Sequence, residues 1–187
     1  MTSALRSVLA SALLLTPSAA LAGLKVDSTI AAPKITFHAN GEPGALDIDA
    51  VTNECTAADD GTTLTFTVPL GKLDTGIELR DEHMKDKFLL VGTYPNATLS
   101  FAKSNIAWPT ELGKSAKGKL EAQFTAHGVT KPVSVTYDVS KTKQGYKATA
   151  SFGYDISQHG IDVPSYLGVT VDAKQEAKAV IYLIDAP

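Results

Sequence analysis

Arg80-Asp81-Glu82-His83, with Lys87 four residues further on, is the densest group of side chains in this chain able to handle charge or protons. A guanidinium and an imidazole beside two carboxylates could serve acid–base chemistry, or could grip an anion through charge-assisted hydrogen bonds. Successive residues of a helix point in different directions, so the tetrapeptide alone makes no convergent catalytic centre. At 100° per residue, Arg80, His83 and Lys87 fall on one flank, next to an apolar arc of Ile77, Met84 and Phe88. Cationic donors beside a greasy edge could hold the polar end of an amphiphile. The same pattern could also be a surface helix that plugs a barrel end with its charges solvated, and Arg80 could simply pair with Asp81 or a loop carboxylate. No nucleophile motif accompanies the cluster: G-x-S-x-G is absent, and the single cysteine, Cys55, has no catalytic setting. His38, His83, His127 and His159 lack the close spacing of metal ligands. No catalytic residue, cofactor or metal is therefore expected.

The elements that would position this cluster read as follows. Thr75 with Glu78 three residues later has the form of a capping box, which would start a helix there, and Tyr94-Pro95 follows its end. Residues 1–22 carry one charge, Arg6, then an apolar run from Val8 to Leu15 and small residues ending in Ala20-Leu21-Ala22, which reads as a secretory signal peptide cleaved before Gly23. A cysteine directly after that point would be needed for a lipoprotein anchor, and Gly23 stands there. The expectation is one domain over 23–187, periplasmic or secreted, with no later apolar run long enough to span a bilayer. Without Arg6 the chain has 16 basic and 20 acidic residues, a formal charge of −4, which argues against a nucleic-acid surface. A lone cysteine cannot close an internal disulfide, so Cys55 is a buried small hydrophobe, a free thiol or half of a bridge between chains, and a homodimer stays open.

From Leu24 the chain alternates. Strands are expected over 24–27, 34–39, 46–55 and 62–70, where Leu64, Phe66, Val68 and Leu70 share a face. Further extended stretches follow at 98–103 and 105–108, then a hairpin in which Leu120, Ala122, Phe124 and Ala126 oppose Val133, Val135, Tyr137 and Val139. Tyr146, Ala148, Ala150, Phe152 and Tyr154 share one face of the next strand, and Ala177, Ala179, Ile181 and Leu183 one face of the last. About eight one-faced strands and one short helix indicate an all-β, antiparallel, closed or nearly closed barrel. Such a barrel is either filled by side chains or holds one small ligand. Many inward positions are alanine, which favours an apolar lumen lined by Phe66, Phe124, Tyr137, Ala148, Ala150, Phe152, Tyr154, Ala177 and Ala179 over a filled core.

Thr75-Gly76 followed by Arg80-Asp81-Glu82-His83-Met84, then Tyr94-Pro95, then Gly128-Val129-Thr130-Lys131-Pro132-Val133, in this order and spacing, resembles the YceI-like family across essentially the whole chain after residue 22. The resemblance implies an eight-stranded lipocalin-like barrel in the periplasm or outside the cell that binds a polyisoprenoid or related long-chain lipid, without catalysis, for transport, storage or envelope stress protection. It departs at Tyr154 to Ile161, where many members carry an arginine near the position of Ile156 and an aromatic near His159. Arg80, His83, Lys87 and His159 are the head-group candidates, His159 reading first as a turn residue and second as a ligand contact. The alternatives are a filled-barrel envelope protein that acts through interactions and, less so, a lipid-modifying enzyme.

Overall fold

The computed structural model describes residues 23–43, 46–166 and 169–186, so the expected leader lies outside the described residues. Twelve strands among them make a single antiparallel sheet. In chain order they are β1 (Leu24–Val26), β2 (Lys34–Glu42), β3 (Leu46–Thr52), β4 (Thr56–Asp59), β5 (Thr63–Pro69), β6 (Asn96–Ala102), β7 (Ser115–Ala126), β8 (Val129–Lys141), β9 (Gly145–Asp155), β10 (Ser165–Tyr166), β11 (Val169–Val171) and β12 (Lys174–Asp185). Eight of them, β2, β3, β5, β6, β7, β8, β9 and β12, are seven residues or longer and account for the expected barrel; the other four are short edge pieces.

The sheet runs β10-β11-β2-β12-β9-β8-β7-β6-β5-β4, with β3 beside β2 and β1 beside the far end of β12. β3 and β4 are consecutive in the chain yet lie at opposite ends of this order, so the polypeptide itself carries the sheet round on itself through residues 53–55. The strand expected over 46–55 ends earlier, at Thr52, and residues 53–55 are the break before β4 starts at Thr56. Two ties hold the curl. Val51 and Asp74 exchange backbone hydrogen bonds of 2.8 and 2.9 Å. At the other end the Asp59 carboxylate, with its side chain 1% exposed, accepts from the Leu24 amide at 2.7 Å, the Gly61 amide at 2.8 Å and Lys103 Nζ at 2.5 Å. Burial alone would raise the Asp59 carboxyl, but these donors outweigh it and hold the group below the ordinary carboxylate range.

β7 and β8 pair over twelve positions, with Leu120 opposite Val135 and Ala122 opposite Val133, and the inward sets Leu120, Ala122, Phe124, Ala126 and Val133, Val135, Tyr137, Val139 are all buried. Their two-residue turn, His127-Gly128, has φ of 51° and 75°, the left-handed pair that suits the twist of a tight hairpin. A Cβ on Gly128 would also sit 2.7 Å from the Tyr94 ring, whose centroid is 4.3 Å from that of His127. The Y-P and G-V-T-K-P-V segments noted in the sequence thus meet in space. Residues 105–108, expected as a strand, instead leave a 3₁₀ turn at Lys103–Asn105, and Trp108 Nε1 donates back to the Lys103 carbonyl at 3.0 Å.

The helix is short and changes pitch. α1 (Glu78–Glu82) passes directly into a π-helix at His83–Phe88, where the Leu89 amide bonds the Met84 carbonyl five residues back. The expected capping box does not form. Ile77 is the N-cap and makes no side-chain cap; Thr75 instead donates from its hydroxyl (2.5 Å) and its amide (2.9 Å) to the Asp81 carboxylate. The Asp81 carboxylate, six residues on, thus accepts from both the hydroxyl and the amide of Thr75.

Candidate ligand-binding site

The void inside the sheet has two parts. A cavity of about 630 Å³ lies at one end, between β2, β3 and the helical segment, and a smaller one of about 90 Å³ lies deeper among β5, β6, β8, β9 and β12. Phe37, Ala97 and Phe124 line both, so the partition between the two is built from these side chains. Phe124 is backed by Phe152 and Tyr154, each with ring centroids 5.0 Å from its own, and by His159 at 5.2 Å. Phe37 meets Tyr154 edge-on at 6.2 Å.

The lumen residues expected from sequence divide between the two spaces. Phe66, Tyr137, Ala148, Ala150, Phe152, Ala177 and Ala179 line the small inner compartment, Phe124 lines both, and Tyr154 lines the large one. Most of the volume is therefore displaced toward the helical end from where the alanines suggested. The rings account for this: Phe66, Phe101, Tyr137 and Phe152 line the inner compartment together with the alanines, and only about 90 Å³ is left there. The large cavity is walled by smaller or peripheral residues such as Ala39, Ile48, Ala50, Leu70 and Ala126. The Tyr154 hydroxyl donates to Gln175 Oε1 at 2.8 Å, and burial raises its phenol above the ordinary range, so it stays a neutral donor.

The large cavity has a recognisable rim. Leu46, Ile77 and Leu79 line it and are still 44%, 53% and 55% exposed, which marks where it opens to solvent. Arg80, His83 and Lys87 all border the same cavity, as do Ile77, Met84 and Phe88. Arg80 is anchored: Nε donates to Thr75 Oγ1 at 2.9 Å and Nη2 to the Thr75 carbonyl at 2.6 Å, leaving Nη1 without a protein acceptor among the described residues. The pairing with Asp81 is relayed through Thr75 rather than made directly. Burial pushes the Asp81 carboxyl up, yet the Thr75 hydroxyl and amide, with Lys85 nearby, bring it below its usual value, so it stays charged and keeps Thr75 and Arg80 fixed. Lys87 Nζ lies 5.4 Å from the Phe88 ring centroid.

His159 is elsewhere. It is 1% exposed in a 3₁₀ turn (Ile156–His159), donates from Nδ1 to the Val129 carbonyl at 2.9 Å, and packs edge-on behind Phe124 and Tyr154. It borders neither compartment and supports the aromatic partition from outside, which corrects its placement at the mouth. A histidine between two apolar strands at a glycine turn gave no sequence sign of this role. Cys55 lines the inner compartment, and burial pushes its thiol up to about 11, so it is protonated and a poor nucleophile at neutral pH. No cluster of metal-ligating side chains occurs among the described residues, and no helix among them is long and apolar enough to cross a membrane.

Proteins of curated function include none that matches this sequence. Among solved structures, a polyisoprenoid binding domain from Saccharophagus degradans implicated in plant cell wall breakdown superposes with a TM-score of 0.70 at 13% identity, over 88% of this chain and 99% of that one. BcnA from Burkholderia cenocepacia superposes with a TM-score of 0.62 at 15% identity, over 84% of this chain and 98% of its own. At such identities the likeness is one of fold. The sequence pattern of the YceI-like domain, however, matches residues 21–180, nearly all of the curled sheet and its helical mouth, and the chain accordingly belongs to the YceI-like family.

Proposed function

We propose that this protein is an exported, non-catalytic binding protein that holds a polyisoprenoid or similar long-chain amphiphile, tail in the large cavity and polar end at the mouth. The observation that carries the reading is the 630 Å³ apolar cavity opening beside an anchored guanidinium. Its volume is in the range of small-molecule sites, and its cationic side chains, Arg80, His83 and Lys87, belong to the same helical segment as the exposed Ile77 and Leu79 of the rim, an arrangement that suits an amphiphile. The Saccharophagus neighbour, described as a polyisoprenoid binding domain, supports the tail chemistry. Arg80 and Asp81 direct their hydrogen bonds to Thr75 rather than toward a shared reaction centre, which supports binding over catalysis. Export, to the periplasm or beyond, rests on the leader-like sequence at 1–22.

Protein purified from its own host is expected to carry a lipid seen by native mass spectrometry and recovered by organic extraction. A preparation that is empty, and that takes up no lipid when offered one, sinks the reading in favour of an interaction protein; turnover of an offered lipid phosphate favours an enzyme. The head-group end has its own test. Apolar burial along a tube does not fix which end of the ligand faces out, so a polar anchor must. The double variant Arg80→Ala/His83→Ala is expected to weaken binding of a prenyl phosphate about tenfold more than of the neutral prenol with the same tail, in line with charge-assisted bonds worth roughly 1.5–3 kcal/mol. Equal losses for the two ligands place both residues in the scaffold.

A further inference from the structure

We infer that Phe124, which with Phe37 lines both compartments, is a chain-length ruler for the bound tail. The inference rests on the lipid-binding reading above and adds to it where the tail must stop. Both rings line the large cavity and the apolar compartment of about 90 Å³ next to it, so a tail that passed from one to the other would have to go by them. Phe124 is held in place. Phe124 is 3% exposed and wedged by Phe152, Tyr154 and His159, and His159 is itself tethered to the Val129 carbonyl. A cavity of about 150 Å³ suits benzene, or about 25 Å³ per carbon, so 630 Å³ accommodates about 25 carbons, about five isoprene units. Removing the Phe124 ring would join the two spaces and add room for about one more unit.

The molecule contains its own reporter for this. Trp108, its single tryptophan, lines the inner compartment and meets Tyr146 edge-on with centroids 5.0 Å apart, so its emission responds to a tail that crosses the partition. The test titrates a ladder of all-trans prenols, shorter and longer than that limit, into delipidated protein. For the wild type, affinity should climb with each unit up to about five and then level off, with Trp108 emission unchanged throughout. In Phe124→Ala the break should move by about one unit, and the longer prenols should shift Trp108 emission. Phe37→Ala, at a half-buried position, should move the break likewise, which covers the case of a Phe124 variant that does not fold. Ala150→Phe fills the inner compartment and should leave the wild-type break where it is. A wild-type break that Ala150→Phe shortens, or prenols that perturb Trp108 in the wild type, would mean the tail already passes the rings and would overturn the ruler. Binding with no break at any length overturns the ruler alone, whereas no binding of any prenol removes the lipid reading with it.

Discussion

Asp59→Ala is expected to lower the free energy of unfolding by about 3–5 kcal/mol, the usual consequence of removing one partner from a buried ion pair. The carboxylate is 1% exposed and Lys103 17%, so deletion leaves an ammonium in poor contact with water and also strips the acceptor from the Leu24 amide. In a chain of this size a loss of that order lowers Tm by about 10 °C, measurable by calorimetry. Asp59→Asn separates charge from shape and adds a pH signature. Because the folded carboxyl is held below its unfolded value, its stabilisation is fully present above the unfolded value, about pH 4, and is lost as pH falls through the folded one. The stability gap between wild type and Asp59→Asn should therefore be constant at neutral pH and shrink on acidification below about pH 4. A gap that widens in acid contradicts the assignment of Asp59 as a charged tie.

Ala97→Phe should produce the largest effect on binding. Ala97 is 2% exposed, pairs with Val68 across β5 and β6, and borders both compartments, so a ring there projects into the space the tail would occupy. Displacing about three tail carbons at about 0.8 kcal/mol each forfeits about 2.4 kcal/mol, roughly 60-fold in Kd. The scaffold should tolerate the change because the ring enters a void rather than packed core, so Tm of the lipid-free protein is expected to hold or rise. Isothermal titration with a prenol, alongside a melt of the empty protein, reads both quantities. Undiminished affinity in a folded variant would locate the tail elsewhere.

The strands that face the lumen were legible because alternation is a local signal: the inward sets of β5, β7, β8 and β12 in the structure are those read from the sequence. What escaped depended on partners far apart in the chain. Asp59 stands in an Asp59-Asp60-Gly61 sequence typical of a turn, and nothing in its neighbourhood names Lys103, 44 residues on, as its partner. Thr75 matched a local helix-start pattern, but a contact with Asp81 and Arg80 prevailed. The cationic flank of Arg80, His83 and Lys87 survived as a group bordering one cavity even though the helix beneath it widens to π pitch. The position of the main cavity was missed because alanine counts report room along a strand, not which rings from neighbouring strands fill it.

The place of β12 in the sheet has a consequence for the order of assembly. The final long strand is not at an edge: it lies between β9 on one side and β2 with β1 on the other, pairing Lys178 with Thr36 and Leu183 with Val26. Until it arrives, the run from β4 to β9 can form by pairing strands that follow one another in the chain, while the β2–β3 hairpin has no strand of that run to join except through the polypeptide at residues 53–55. The most non-local pairings, which are the slowest to find, thus wait for β12. A growing chain that lacks β12 is two sheets with open edges on β9 and β2, and completion of both happens in one step when that strand slots between them.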